Sequence, residues 1–168
     1  MIGLQIIFIR IEDFDLIVVN AYLPCNGDQD SFSCFLAHQN LIEGLIEEYP
    51  TTLLLICGDF NARIGRDLVK PDLGLTGAHI FHNESSENGQ FLWSTMVQFG
   101  LADCATIFSS STLVTRSEGS FQSQLDHILI SRSQLHHISG FYGSWQPISD
   151  HKLISFSIRI NETASKCK

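Results

Sequence analysis

The sequence predicts an α/β fold, helices layered on a buried sheet, and three stretches carry that prediction. Residues 14–22 (FDLIVVNAY) are rich in β-branched and aromatic side chains and stop at Leu23-Pro24, as a buried strand does. Residues 31–49 then place Phe32, Phe35, Leu36, Ile42, Leu45, Ile46 and Tyr49 at helical spacing. Residues 51–57 (TTLLLIC) form an unbroken apolar run suited to a strand covered on both faces. Strand, helix, strand is the α/β signature. With 168 residues the chain makes one domain, assigned to residues 1–162, with 163–168 as a disordered tail.

The remaining elements follow in order. Residues 1–11 are apolar but lack a basic leading region and are interrupted by Gln5 and Arg10, so they read as a strand and not a signal peptide. Asp28, Asp30 and Ser31 offer cap chemistry to the helix that follows, and Pro50 ends it. Gly58 is expected to break the third strand. Residues 65–87 are polar and rich in Gly and Asp without periodicity, which predicts a long functional or mobile loop. A short helix over 88–99 presents Leu92, Met96 and Phe99 on one face and stops at Gly100. Residues 109–123 are Ser/Thr-rich and predict short edge strands and turns. Residues 125–131 (LDHILIS) and 153–160 (LISFSIRI) complete the sheet, the second alternating Ile154, Phe156, Ile158 and Ile160 with Ser155, Ser157 and Arg159.

Charge and cysteine content narrow the partners. Ten Lys and Arg against eighteen Asp and Glu give a net charge of −8, which disfavours nonspecific adhesion to nucleic acid or to an anionic membrane. A polyanionic substrate would have to be held locally. Five cysteines, with no C-x-x-C pair and no zinc spacing, predict reduced thiols and an intracellular location, nuclear or cytoplasmic. Two glycosylation sequons, at Asn83 and Asn161, carry little weight because the pattern recurs by chance. No apolar run approaches the ~20 residues of a membrane-spanning helix.

Polar residues gather at the ends of the apolar runs, where α/β sheets place their sites. In Gly58-Asp59-Phe60-Asn61, residues i and i+2 of an extended stretch point the same way, so Asp59 and Asn61 project together. A lone Asp-x-Asn is more often a turn that caps a strand. Asp126 lies in an apolar strand, where an unpartnered carboxylate costs several kcal/mol, so it needs a donor. His151, in Ser149-Asp150-His151 just before the last strand, can supply one. Tyr22 alone reads as a core aromatic with an exposed hydroxyl.

In combination these motifs resemble a known family. NAYLP, LLICGDFNARIG, NGQFLWSTMVQFGLAD, SFQSQLDHILIS and SDHKLISFSI read as successive blocks of the endonuclease/exonuclease/phosphatase superfamily, and most like the endonuclease domains of non-LTR retrotransposons. The resemblance runs from about Asp15 to Ile160. It implies a DNase I-like two-sheet α/β sandwich. Carried over position by position, it implies that Asp59 orients or deprotonates the attacking water, and that Asn61 holds that water and a phosphate oxygen. Tyr22 would touch the phosphate. Asp126 would fix the tautomer of His151, whose imidazolium faces the phosphoryl oxygens. Asp150 would lie beside a divalent cation, Mg²⁺ with Mn²⁺ as the alternative.

The resemblance also implies an absence. The family's earlier Asn and its metal-ligand Glu come from strands before the NAYLP block, and Glu12 and Asp13 do not match that motif, so the chain is expected to be an N-terminally truncated domain that leaves an apolar sheet face uncovered. The function implied is metal-dependent nicking of DNA to leave a 3′-hydroxyl, impaired by the truncation, with fusion to or association with a reverse transcriptase. Two alternatives stand beside it. One is a non-catalytic remnant or protein-binding module of the same fold; the other is a phosphatase or phosphodiesterase acting on a substrate other than DNA.

Overall fold

The computed structural model describes residues 3–12, 14–25, 27, 30–108 and 114–160. The predicted tail, Asp13, Asp28 and residues 109–113 lie outside the described residues. A five-stranded sheet is the frame: β1 (Gly3–Ile11), β2 (Phe14–Tyr22), β3 (Leu53–Asp59), β4 (Leu101–Asp103) and β7 (Asp126–Ser131) lie in the order β1-β2-β3-β7-β4. Strands β2 and β3 are parallel, joined by the crossover helix α1 (Ser31–Glu48), and the other pairs are antiparallel. Hairpins β5–β6 (Arg116–Glu118, Phe121–Ser123) and β8–β9 (Ile138–Trp145, Lys152–Ile158) add two small sheets.

Alternation along the strands builds two cores. On one face Ile17, Val19, Leu54, Ile56 and Leu129 pack beneath α1 and α2 (Glu87–Phe99), against Phe35, Ile42, Leu92 and Met96. On the other face Leu16, Leu53, Leu55, Ile128 and Ile130 meet Ile154, Phe156 and Ile158 of β9. The layers are therefore helices, five-stranded sheet and hairpin, the DNase I-like α/β sandwich with two strands in its second sheet. Strand β1 has no cover of this kind: Leu4, Ile6, Ile7, Phe8, Ile9 and Ile11 are all exposed.

Four local expectations are corrected. Gly58 does not end β3, which runs through to Asp59; its φ of +142° suits glycine alone, and an added Cβ would lie 1.9 Å from the Ala21 carbonyl oxygen, so glycine lets β2 and β3 stay close at this point. Asp30 occupies the α1 N-cap without a side-chain cap bond, because its own backbone is already helical (φ −94°, ψ −2°). The 65–87 segment is a loop, but an anchored one: Leu75 and Ile80 are buried, Leu75 carbonyl accepts from Asp103 N at 2.8 Å, and Arg66 N donates to His82 carbonyl at 3.1 Å. Helix α2 starts one residue earlier than predicted, at Glu87, because Ser86 caps it by accepting from Gly89 N; Gly100 ends it in the left-handed conformation (φ 62°).

Candidate active site

Strand register assembles the site. Tyr22 ends β2 opposite Asp59, which ends β3, and Asp59 faces Asp126, which begins β7. Three chemistry-bearing residues thus sit side by side at one sheet edge. The fourth arrives from the far end of the chain. Residues around Arg116 and His151 form an isolated antiparallel bridge, with Lys152 N donating to Thr115 carbonyl at 2.7 Å and Ser117 N to Asp150 carbonyl at 2.8 Å. Thr115 closes the link: its hydroxyl oxygen accepts from Leu125 N (3.0 Å) and Asp126 N (3.1 Å).

His151 therefore faces Asp126. Its Nδ1 lies 3.0 Å from Oδ2 and 3.2 Å from Oδ1 of the Asp126 carboxylate, which fixes Nδ1 as the donor. Its Nε2 points toward Asp59, with 3.9 Å to Oδ2, too long for a hydrogen bond and about right for an atom placed between them. Both carboxylates and the imidazole are half-buried. Burial pushes the Asp59 carboxyl above its usual range; the backbone N–H of Asn61, 2.9 Å from Oδ1, works against that shift, and the charge of Asp126 adds to it. A carboxylate so raised is a better base than one in water.

Asn61 adopts a left-handed backbone (φ 46°), a conformation Asn tolerates better than most residues. Its side-chain amide nitrogen donates to Leu23 carbonyl at 2.8 Å, so its Oδ1 is directed by that bond. Below it, Asn88 at the start of α2 donates to the carbonyls of Asn61 (3.1 Å) and Pro24 (2.9 Å) and ties both loops to the helix. Tyr22 is exposed.

Asp150 adjoins His151 in sequence but is paired elsewhere. Its carboxylate takes Arg116 Nε at 2.9 Å, and that guanidinium holds its pKa below the usual carboxylate range; Arg116 also donates to Glu118 at 2.9 Å. Asp59, Asp126 and His151 each present one ligand atom within 4.8 Å of the others, a spacing that can gather around a cation. The chemistry of the set favours a hydrogen-bonded trio instead, since both Asp126 oxygens face the His151 ring and Mg²⁺ prefers oxygen donors. Asp150, the carboxylate that the sequence offers to the cation, already carries a guanidinium. Among the described residues, then, a cation at this edge would need Asp150 released from Arg116 to join the oxygens of Asp59 and Asp126.

Reading the sequence passed over Thr115, Asn88, Asp103 and His127. Asp103 and His127 form a fully buried pair, Oδ2 to Nδ1 2.9 Å, with His127 Nε2 at 2.9 Å from Ala62 carbonyl. Burial alone would lower the His127 pKa, but the Asp103 charge and hydrogen bond outweigh it and raise it. The signal was available: a His in LDHILIS needs a partner for the reason that Asp126 does.

The sequence matches no family model, and no curated protein matches it. Solved structures do resemble it, and they show the fold, a DNase I-like α/β sandwich. In particular, the endonuclease domain of TRAS1, a telomere-specific non-LTR retrotransposon, superposes with a TM-score of 0.64 at 19% identity over 95% of this chain and 64% of its own. The 3′ phosphatase NExo from Neisseria, bound to a product DNA hairpin, gives 0.63 at 16% identity over 93% and 65%. An AP endonuclease from Archaeoglobus fulgidus gives 0.60 at 17% over 93% and 65%. The chain thus spans less than two thirds of the length of each. No helix among the described residues is long and apolar enough to cross a membrane.

Proposed function

We propose that the chain carries the catalytic edge of a metal-dependent phosphodiesterase of the retrotransposon endonuclease type, which nicks DNA to leave a 3′-hydroxyl. The observation that supports it most is the Asp59, Asp126 and His151 trio, built from register and a cross-chain bridge at one sheet edge. The similar structures are, by their own descriptions, two endonucleases and a 3′ phosphatase bound to a product DNA hairpin, which agrees with this reading.

In the proposed reaction Asp59, with its raised pKa, takes the proton of a water lying between it and the phosphate, and Asn61 holds that water and a phosphoryl oxygen. The water oxygen bonds to phosphorus as the P–O3′ bond breaks on the opposite side; the phosphate stays on the 5′ end and the departing O3′ takes a proton from solvent to become the 3′-hydroxyl. His151, its Nδ1–H held by Asp126, faces the phosphoryl oxygens with Nε2 and as an imidazolium donates to the charge that grows on them, and Tyr22 touches the phosphate from β2. A divalent cation, Mg²⁺ or Mn²⁺ beside Asp150, is the proposed cofactor; no step here runs through it, since Arg116 holds that carboxylate. DNA is the proposed substrate, in an intracellular setting, nuclear or cytoplasmic, with a reverse transcriptase fused or associated. The free thiols of Cys25, Cys34, Cys57 and Cys104 agree with that setting.

The test is nicking of supercoiled plasmid by excess protein, with and without Mg²⁺, and polymerase extension from the nicks. Slow, Mg²⁺-dependent nicks that prime extension are expected, lost in His151→Ala. Binding without any cleavage would favour a second reading, a non-catalytic protein-binding module, to which the exposed apolar strand β1 lends support.

A further inference from the structure

His127 follows Asp126 on β7, so the two side chains leave opposite faces of the strand: one faces the site and the other the core. The His127 ring is 1% exposed and lies between two acceptors, the Asp103 carboxylate at Nδ1 and the Ala62 carbonyl at Nε2, each 2.9 Å away. The Ala62 carbonyl cannot donate, so Nε2 carries a hydrogen, and with Asp103 as a carboxylate Nδ1 carries one too. Asp103 is held in its turn, its second oxygen accepting from Ala105 N at 3.0 Å.

Ala62 closes the segment that carries the site. Between Asp59 and Ala62 the chain turns through Phe60, which is fully buried with its ring 5.9 Å from the His127 ring, and through Asn61 in its left-handed conformation. The Asn61 carbonyl is held from α2 by Asn88, and the Ala62 carbonyl by His127. We infer that His127, oriented by Asp103, is a positioning residue that fixes the Asp59–Ala62 turn and with it the placement of Asn61 relative to Asp59. The consequence for rate rests on the active-site reading above; the placement itself does not.

Stability alone does not account for the pair. Buried ion pairs can often be replaced by apolar side chains of similar volume without loss of stability. An apolar replacement would, however, leave the Ala62 carbonyl buried with no donor from β7, and the turn free to shift. A misplacement of about 1 Å at a reacting group costs up to ~10²-fold in rate.

Three measurements on the full chain test this. Ring ¹⁵N spectra of the unmodified chain are expected to show hydrogens on both His127 nitrogens, and an Nε2 without one would overturn the inference. Amide hydrogen exchange is then compared among the unmodified chain, Asp103→Asn, and the double variant Asp103→Leu/His127→Leu. In Asp103→Asn the ring still donates from Nε2 to Ala62, so exchange at Asn61 stays near the original. In the double variant Asn61 is expected to exchange about tenfold faster or more while amides of Leu129 and Ile130 keep their protection. Unchanged exchange at Asn61 in a folded double variant would overturn the inference; if that variant does not fold, the ring spectra and Asp103→Asn still decide it. Nicking kinetics separate the two levels: the double variant should lose about tenfold or more in kcat with KM for DNA unchanged, whereas absent nicking by the unmodified chain, with the exchange result as expected, would fault the active-site reading and leave the positioning role standing.

Discussion

Asp59 and Asp126 are register partners on adjacent antiparallel strands, and two carboxylates so placed keep different environments. Asp126 is matched to the His151 ring, whereas Asp59 takes one backbone N–H and is otherwise shaped by burial. On the proposed function, that asymmetry divides the labour between a carboxylate that orients the His151 ring and one free to take a proton. Asp59→Asn should therefore abolish nicking, by about 10²–10⁴-fold on the scale of general-base loss, while the amide still accepts from Asn61 N and the fold persists. Removing a negative charge should leave DNA binding unchanged or tighter, which equilibrium binding beside single-turnover cleavage will show. Arg116 gives a second prediction at this scale. Because it holds Asp150, Arg116→Gln should strengthen Mg²⁺ binding, read by titration calorimetry, and Asp150→Asn should cancel the gain. Asp59, Asn61, Asp126 and His151 were legible because each is a polar residue at the mouth of an apolar run. The ion pair on Asp150 was not, since nothing local in Ser149-Asp150-His151 points to Arg116, 34 residues earlier.

At the scale of elements, the long and strongly patterned ones were legible: β2, α1, α2, β7 and β9 fall where apolar spacing puts them. Those missed were short or glycine-rich. Strand β4 has three residues and helix α3 (Cys104–Phe108) five, too few to show a period, and their existence depends on β7 and on the Leu75 carbonyl. Strand β8 (ISGFYGSW) contains two glycines and two serines and becomes a strand by pairing with β9. Gly58 teaches the same lesson in reverse: read alone it is a breaker, but between β2 and β3 its missing Cβ is what the close approach requires. Gly58→Ala should destabilise the chain by about 3 kcal/mol or more, combining a clash with backbone and an unfavourable φ. Gly89 makes a comparable approach, a Cβ there falling 1.9 Å from the Arg63 carbonyl oxygen, and Gly89→Ala should likewise lower the urea midpoint. A midpoint unchanged in either variant would mean that these contacts are looser than described.

At the scale of the whole molecule, two buried histidines give stability a pH dependence with two limbs. His38 on α1 lies in the core with its ring 5.5 Å from Phe60, and burial lowers its pKa to about 4 from 6.5. As pH falls from 6.5 toward 4 the unfolded chain takes up a proton that the folded chain refuses, so stability drops, by roughly 3 kcal/mol at most. His127 acts in the opposite direction: its pKa is raised in the fold, so its contribution is complete below 6.5 and is lost as pH rises through the folded value. Tm should peak between the two limbs, and His38→Phe should make the acid limb shallower without removing it, since burial lowers His82 to about 4 as well, as thermal unfolding across pH will show. An acid limb equally steep in His38→Phe would place its origin elsewhere.

The same scale decides what the molecule is for. On the proposed function, a net charge of −8 leaves little general attraction for DNA, so affinity would have to come from the site and its edge, and catalysis from the trio. The most direct measurement is single-turnover nicking by Asp126→Asn beside the unmodified chain, in Mg²⁺ and with DNA binding measured in parallel. The amide fits the carboxylate's place but favours the wrong His151 tautomer and withdraws the charge that supports the imidazolium. Cleavage should fall steeply, with the ~10⁴-fold loss of an equivalent change in serine proteases as an upper guide, while folding and binding persist. Near-full cleavage by Asp126→Asn would show that the Asp126 and His151 pair is structural, and would contradict the active site described here.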